Sequence, residues 1–261
     1  MARAIWKGVI RFGEAVVPAK LYSAVTDRRI HFRLLHGDDL VPVEQRLVHP
    51  RTGVVVPRSA VRRGYRLDAG TLVMLGDDEL ATLEPESSRI IDVKRFVDPS
   101  RIDHRWYDRP YWLGPDGDEE AYGALSSALE DAGREGVARW VMRRRTYVGA
   151  LRAERGRLAL ITLRSADEVV ADAELEAPEG RALSAQELSM ARQLIAALAG
   201  EWDPAEWHDE HRERVLELIE AKRAGRTIRL EDYRSEPTGE EALREALAKS
   251  LEAARNGQAV A

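Results

Sequence analysis

The amino-acid sequence predicts a mixed β+α fold, β-rich up to about residue 180 and helical beyond it. Three observations predict it. Up to about residue 115, short runs of β-branched and aromatic residues alternate with turns containing Gly and Pro. The apolar period then becomes helical between Asp118 and Gly133 and returns to strand-like alternation over 137–164. From Ser184 onward each apolar stripe carries its own N-cap.

The elements follow in order. Ile5-Trp6-Lys7-Gly8-Val9-Ile10-Arg11-Phe12 ends at Gly13, and residues 18–22 open a second extended run, so the two predict a hairpin. Residues 28–66 pass Gly37-Asp38-Asp39, Pro42, Pro50-Arg51-Thr52-Gly53 and Pro57, which joins extended pieces at 41–48 and 54–56 by turns. Proline cannot donate to a sheet ladder, so this segment predicts a ribbon projecting from the main sheet. Residues 71–75 and 89–96 predict further core strands. After Asp116-Gly117-Asp118, the residues Tyr122, Leu125, Ala128 and Leu129 share one helical face, and Gly133 stops the helix. Residues 137–152 predict one strand, with Arg143 and Arg145 on one side and Trp140, Met142 and Arg144 on the other. Residues 158–164 predict its hairpin partner.

Ser184 with Glu187 makes a capping box for a helix striped by Leu188, Ala191, Leu194, Ile195 and Leu198, ended by Gly200. Asp203, followed by Pro204 and Glu206, caps a second helix whose stripe includes Trp207, Val215, Leu218 and Ile219, closed by Gly225. Thr238 with Glu241 opens a last helix carrying Leu243, Leu247 and Leu251.

At 261 residues the chain can hold one large domain and a smaller appendage. Its 44% hydrophobic and 33% charged residues exclude wholesale disorder and fibrous architectures. The absence of cysteine excludes disulfides, thiolate zinc sites, iron-sulfur clusters and a cysteine nucleophile. Lys7, Arg11, Glu14 and Lys20 interrupt any apolar signal core, and the longest apolar stretches fall far short of the roughly 20 residues that span a bilayer. A soluble cytoplasmic protein without membrane partners is expected.

Charge is segregated along the chain. Residues 28–66 hold nine arginines (Arg28, Arg29, Arg33, Arg46, Arg51, Arg58, Arg62, Arg63 and Arg66) against three acids, a net +6. Residues 134–164 hold another nine (Arg134, Arg139, Arg143, Arg144, Arg145, Arg152, Arg155, Arg157 and Arg164) against Glu135 and Glu154, a net +7. The total is −5, so the rest of the chain carries −18. An acidic protein with two concentrated basic zones is suited to gripping a polyanion at a defined surface. Only five of forty basic residues are lysine; the arginine fork suits bidentate phosphate contacts, although a GC-rich coding genome would produce the same bias everywhere.

Four blocks resemble the bacterial Ku proteins of non-homologous end joining. They are Arg3-Ala4-Ile5-Trp6-Lys7-Gly8 leading to Val17-Pro18-Ala19-Lys20-Leu21-Tyr22-Ser23; Tyr107-Asp108-Arg109-Pro110-Tyr111-Trp112-Leu113; Tyr147-Val148-Gly149-Ala150-Leu151-Arg152; and Glu187-Leu188-Ser189-Met190-Ala191 running through Trp202-Asp203-Pro204, His208-Asp209-Glu210 and Leu216-Glu217-Leu218-Ile219-Glu220-Ala221-Lys222. In order and spacing they span residues 2–230.

The resemblance implies a Ku-type β-barrel core over 1–180 with a DNA-encircling bridge ribbon at about 28–66, a helical dimerisation arm over 181–230, and a short helical extension over 231–261. It implies a homodimer that closes a ring around duplex ends without reading sequence and recruits an ATP-dependent end-joining DNA ligase (ligase D), at breaks in the nucleoid. The nine ribbon arginines, with Arg143 and Arg145 or else Arg144 alone, are the expected DNA contacts. Leu188, Leu194, Leu198, Trp207 and Leu218 are the expected dimer residues. Two departures stand out. Many relatives have a cysteine pair in the ribbon where this chain reads Val48-His49-Pro50-Arg51-Thr52-Gly53, so no zinc is expected. Several end in a lysine-rich tail, whereas residues 235–261 carry five acids against three bases.

Rival readings are weaker. Trp6, Trp106, Trp112, Trp140 and Tyr147 are read as core residues rather than base-stacking ones. His208 and His211 lack a third metal ligand. Asp92-Val93-Lys94, downstream of Asp77-Asp78 and Glu86, resembles half of a Mg²⁺-nuclease site, but such triplets arise often by chance. No phosphate-cradling glycine loop of the Walker kind is present, and no catalytic role or cofactor is expected. A general DNA binder that needs no ends would share the basic zones.

Overall fold

The computed structural model describes residues 3–67, 70–171, 182–226 and 243–255. Contacts divide the chain into two units, Met1–Glu174 and Leu175–Ala261. In the first unit the elements run β1 (Trp6–Phe12), β2 (Ala15–Ser23), β3 (Arg63–Arg66), β4 (Leu72–Leu75), α1 (Asp77–Thr82), β5 (Ile90–Val97), β6 (Tyr107–Pro115), α2 (Glu119–Ala132), β7 (Glu135–Met142), β8 (Arg145–Glu154) and β9 (Arg157–Leu163). Seven of these strands close a barrel in the order β1-β2-β6-β9-β8-β7-β5.

Hairpins build most of the barrel. Gly13 turns β1 into β2 at φ 59°, a left-handed conformation glycine adopts without steric cost. Alternation drives one face of each strand inward, so Ile10, Leu21, Ile91, Trp140, Leu151, Leu158 and Leu160 are fully buried. Truncating a buried tryptophan such as Trp140 to Ala costs about 3–5 kcal/mol. Closure comes from one parallel seam, in which Val9, Ile10 and Arg11 pair with Ile90, Ile91 and Asp92. At that seam a Cβ on Gly8 would lie 2.2 Å from the Arg89 carbonyl oxygen and 2.3 Å from the Trp6 ring. Only glycine fits there.

Helix α2 forms as its sequence dictates. Asp118 caps it by accepting from the Ala121 N–H at 2.9 Å, and Gly133 ends it at φ 57°. It buries Tyr122, Leu125 and Leu129 against the barrel, where the Tyr122 hydroxyl donates to the Leu113 carbonyl at 2.7 Å and accepts from the Leu158 N–H at 2.8 Å.

Residues 24–89 form an excursion between β2 and β5. Its prolines interrupt regular pairing, so 28–62 contains only two isolated bridges, Leu35 to Pro42 and Val48 to Val55. The expectation that 71–75 belongs to the core is corrected: β4 pairs with β3 in a separate two-stranded sheet, with Val73 and Met74 exposed. β-propensity identifies a strand but not the sheet it joins.

A second correction concerns 137–152, which is two strands. Arg143 and Arg144 form the two-residue turn between β7 and β8, with φ of 51° and 62°. Positive φ at both central positions defines the hairpin turn that Asn-Gly usually supplies. No such signal marks this turn, because cross-strand pairing forces arginine into it. The alternating assignment of Arg143, Arg144 and Arg145 to opposite faces therefore fails.

The second unit contains α3 (Ala185–Ala197), α4 (Glu210–Arg223) and α5 (Leu243–Arg255). The Ser184–Glu187 capping box forms as expected, with the Ser184 hydroxyl accepting from the Glu187 N–H at 3.3 Å and the Glu187 carboxylate accepting from the Ser184 N–H at 2.8 Å. The helix expected from Asp203 is corrected. Asp203 caps only a 3₁₀ turn at Pro204–Glu206, and Asp209 provides the second cap, for α4. Trp207 therefore lies outside the helical stripe. Helix α5 packs on α3 and buries Leu251; its expected cap, Thr238 with Glu241, lies outside the described residues. Among the described residues no helix is long and apolar enough to cross a membrane.

Candidate nucleic-acid interface

The strand registers gather one set of chain segments at one end of the barrel. β1 is parallel to β5 and antiparallel to β2, so the start of β1, the end of β2 and the start of β5 share that end. Antiparallel β5–β7 and β7–β8 pairing brings the Arg143–Arg144 turn there too. The excursion leaves at Ser23 and returns at Ile90, so both its roots and this turn meet at the same end. One contact spans them: Arg144 Nη1 donates to Glu84 Oε1 at 3.3 Å. The excursion that carries one arginine-rich window is thereby rooted beside the turn that carries Arg143, Arg144 and Arg145 of the other.

The excursion arginines differ in how their charge is held. Arg29 forks onto Asp27 at 2.7 Å, Arg46 pairs with Glu44 at 3.0 Å, and Arg63 with Asp77 at 3.6 Å. The Arg29 guanidinium holds the Asp27 carboxyl well below the usual carboxylate range. Arg62 Nη1 donates to the Ser59 carbonyl at 2.8 Å and the Val61 carbonyl at 3.1 Å. Arg33, Arg51, Arg58 and Arg66 make no side-chain hydrogen bond or ion pair among the described residues, and all of these, like Arg28, are exposed. Exposed pairs of this kind are worth at most about 1 kcal/mol, so a phosphate can replace the carboxylate.

The second window splits. Arg143, Arg144 and Arg145 stand exposed at the excursion end. Arg155 opens the β8–β9 turn at the opposite end, and Arg157 follows it. Arg152 and Arg164 serve the barrel itself. Arg152 Nε donates to Glu135 Oε1 at 2.8 Å, its Nη2 also reaches that oxygen, and its guanidinium lies 5.3 Å from the Tyr107 ring centroid. The Tyr107 hydroxyl donates to Glu135 Oε2 at 2.7 Å. Glu135 is 2% exposed, so this triad neutralises a buried carboxylate. Burial, followed by the hydrogen bond to the carboxylate, pushes the Tyr107 hydroxyl up to about 12. Arg164 donates to the carbonyls of Arg105 and Tyr107 and pairs with Asp108.

Asp92, the acid of the nuclease-like triplet, sits between Arg11, at 3.1 Å, and Lys94. These hydrogen bonds, Arg11 first, pull its carboxyl below the usual range. Among the described residues no three His, Asp or Glu side chains are placed to hold a metal. His208 Nε2 instead faces Glu213 at 3.2 Å. Of the expected core aromatics, Trp140 is buried and stacks on Tyr147 at 5.4 Å, and Trp6 packs against the core. Trp112 is corrected: it is 41% exposed, because its neighbours Tyr111 and Leu113 take the inward positions of β6. Trp106 is half-buried and outside the core.

In the second unit, Leu188, Leu198 and Trp207 are exposed and Leu194 and Leu218 half-buried. Trp202 and Trp207 stack at 5.3 Å with both rings largely open. Exposed apolar side chains in this number mark a surface that awaits cover.

Comparison with known proteins places this geometry. The profile of the Ku70/Ku80 beta-barrel domain matches residues 11–190. The chain is 40% identical over 248 residues to "Non-homologous end joining protein Ku 2" of Geotalea uraniireducens (strain Rf4), covering 95% of this chain and 96% of the relative. It is 39% identical over 259 residues to the Ku protein of Anaeromyxobacter sp. (strain K), covering 98% and 87%. Against that of Archaeoglobus fulgidus it is 33% identical over 255 residues, covering 97% and 100%.

Proposed function

The chain belongs to the Ku family, and on that premise we propose that it binds the ends of double-stranded DNA in non-homologous end joining. The observation that carries this reading is that the excursion bearing the nine arginines is rooted at the barrel end where Arg143, Arg144 and Arg145 stand. Arginines there grip phosphate and sugar, positioning a duplex without specifying bases. The contacts are the nine excursion arginines with Arg143 and Arg145; Arg144, tied to Glu84, joins them at the turn.

Two copies complete the ring. The open apolar side chains of the second unit, Leu188, Leu198 and Trp207 with the half-buried Leu194 and Leu218, form the dimer arm, and burying them supplies the association energy. An acidic exterior keeps indiscriminate DNA coating low while a basic inner wall holds the duplex. The protein acts without catalysis of its own, in the cytoplasm at nucleoid breaks, and recruits an ATP-dependent end-joining DNA ligase, with the 238–256 helix of the 231–261 extension as the recruiting element.

The test is binding to one duplex in linear form and as a relaxed covalently closed circle, by gel shift without and then with Mg²⁺. Binding to the linear form alone, with the DNA left intact, is expected. Equal binding to circles refutes threading onto ends, and Mg²⁺-dependent cutting abolished by Asp92→Ala refutes the non-catalytic reading.

A further inference from the structure

The barrel carries a groove of which the DNA reading uses only Arg145, on its rim. It lies on the outer surface of β7, β8 and β9, walled by the segments at 97–106 and 163–168, with a volume of about 820 Å³. That is the size range of sites that hold small ligands or peptide side chains. Its apolar lining is mainly aliphatic, with Val97, Ile102, Val137, Val148 and Leu163 joined by the rings of Trp106 and Tyr147. Val148 is 37% exposed, although it sits mid-strand opposite Arg139 on an outward-facing position.

The groove is also electrostatically one-sided. Its two carboxylates are already engaged: Asp108 by Arg164 at 3.4 Å, and Glu168 by the Ser165 N–H at 2.7 Å. Arg101 and Arg145, on its rim, have no ion-pair or side-chain hydrogen-bond partner among the described residues. A guest therefore meets an apolar floor beneath two uncommitted guanidinium groups. Five aliphatic side chains against two rings make this lining a better fit for an apolar side chain than for a stacked base. We propose that this groove docks a segment of a partner protein that presents an apolar anchor flanked by carboxylates. The anchor displaces water from the valine and leucine floor, and the carboxylates take the bidentate forks of Arg101 and Arg145.

The groove shares Arg145 with the proposed DNA contacts, so the test uses DNA-free protein and Arg101, which lies outside those contacts. The probe is a fluorescein-labelled peptide, Asp-Asp-Glu-Leu-Phe-Glu-Asp-Asp, titrated with the full-length chain by fluorescence anisotropy. Saturable binding is expected. Replacing Leu-Phe by Ser-Ser, or every acid by lysine, should each weaken it roughly tenfold or more, since either half of the recognition is then missing. Arg101→Glu, at an exposed turn position that leaves the fold intact, and Val148→Asp should each do the same with an unchanged melting temperature. No saturable binding to the wild-type chain overturns the proposal. Binding that Arg101→Glu leaves unaltered also overturns it, whatever the stability of the Val148 variant.

Discussion

Replacing Arg143-Arg144 by Asn-Gly separates the turn's effect on stability from its effect on DNA. Both arginines hold positive φ, at 51° and 62°, which costs a side chain with a Cβ about 1 kcal/mol or more at each position. Asn-Gly relieves that cost, but the glycine gives back about 0.5–1 kcal/mol in unfolded-chain entropy. Losing the exposed Arg144–Glu84 pair removes at most about 1 kcal/mol more. The variant should therefore be between neutral and about 1 kcal/mol more stable, a rise of up to about 4 °C in Tm. Binding should move the other way. Each lost phosphate contact lowers the slope of log K against log salt by about 0.9, which at 0.15 M salt is roughly fivefold in affinity, or roughly thirtyfold for two contacts. Thermal unfolding and anisotropy of a labelled duplex across a salt series measure both quantities on the same protein. Unchanged affinity and slope would refute the placement of the turn on DNA. A loss of stability beyond about 1 kcal/mol would refute the strain argument.

Further outcomes follow from other sites. Arg62→Glu with Arg63→Glu should weaken duplex binding regardless of sequence and flatten its salt dependence, read by the same titration. Glu135→Gln, which leaves Arg152 beside a buried neutral amide, should cost about 3 kcal/mol in urea unfolding; a change under about 1 kcal/mol would show the triad to be dispensable. Gly8→Ala should cost about 3 kcal/mol or more, because the added methyl meets backbone at the barrel seam. Tyr107 titrates near 12 folded and near 10 unfolded, so the folded state favours its protonated form. That contribution is whole below pH 10 and is lost as pH rises from 10 to 12. An ultraviolet titration of wild type against Tyr107→Phe should show one late-ionising tyrosine, and its absence would contradict the triad.

Much of the barrel is legible in the sequence because its signals are local. Asp118 and Gly133 bracket α2, and Gly13 marks the first hairpin. What escapes notice is decided by partners far along the chain. The turn at Arg143 and Arg144 has no glycine or asparagine to announce it, and only the β7–β8 register forces it. Residues 72–75 read as a strand, yet nothing local says that they pair with 63–66 outside the barrel. Glu135 and Arg152 look like members of a charged surface, and their burial appears only once Tyr107 folds over them. Two caps in quick succession, Asp203 and Asp209, divide what looks like one helix and leave Trp207 in the open. For the interface, composition picks out the arginine windows, while topology decides that Arg152 and Arg164 belong to the barrel and Arg143 to Arg145 to the excursion end.

The excursion's two roots, on β2 and β5, are separated by a single intervening strand, β1, and so stand only about 10 Å apart. Its anchoring demands almost nothing of its length, since doubling such a loop adds only about 0.6 kcal/mol of closure entropy. The excursion is in this sense an interchangeable attachment: it can lengthen, shorten or be cut while the barrel, sealed behind it by the β1–β5 seam, keeps its register. A backbone nick between residues 30 and 60 would leave two polypeptides clasped as one particle by the pairing of β1 with β5 and of β2 with β6.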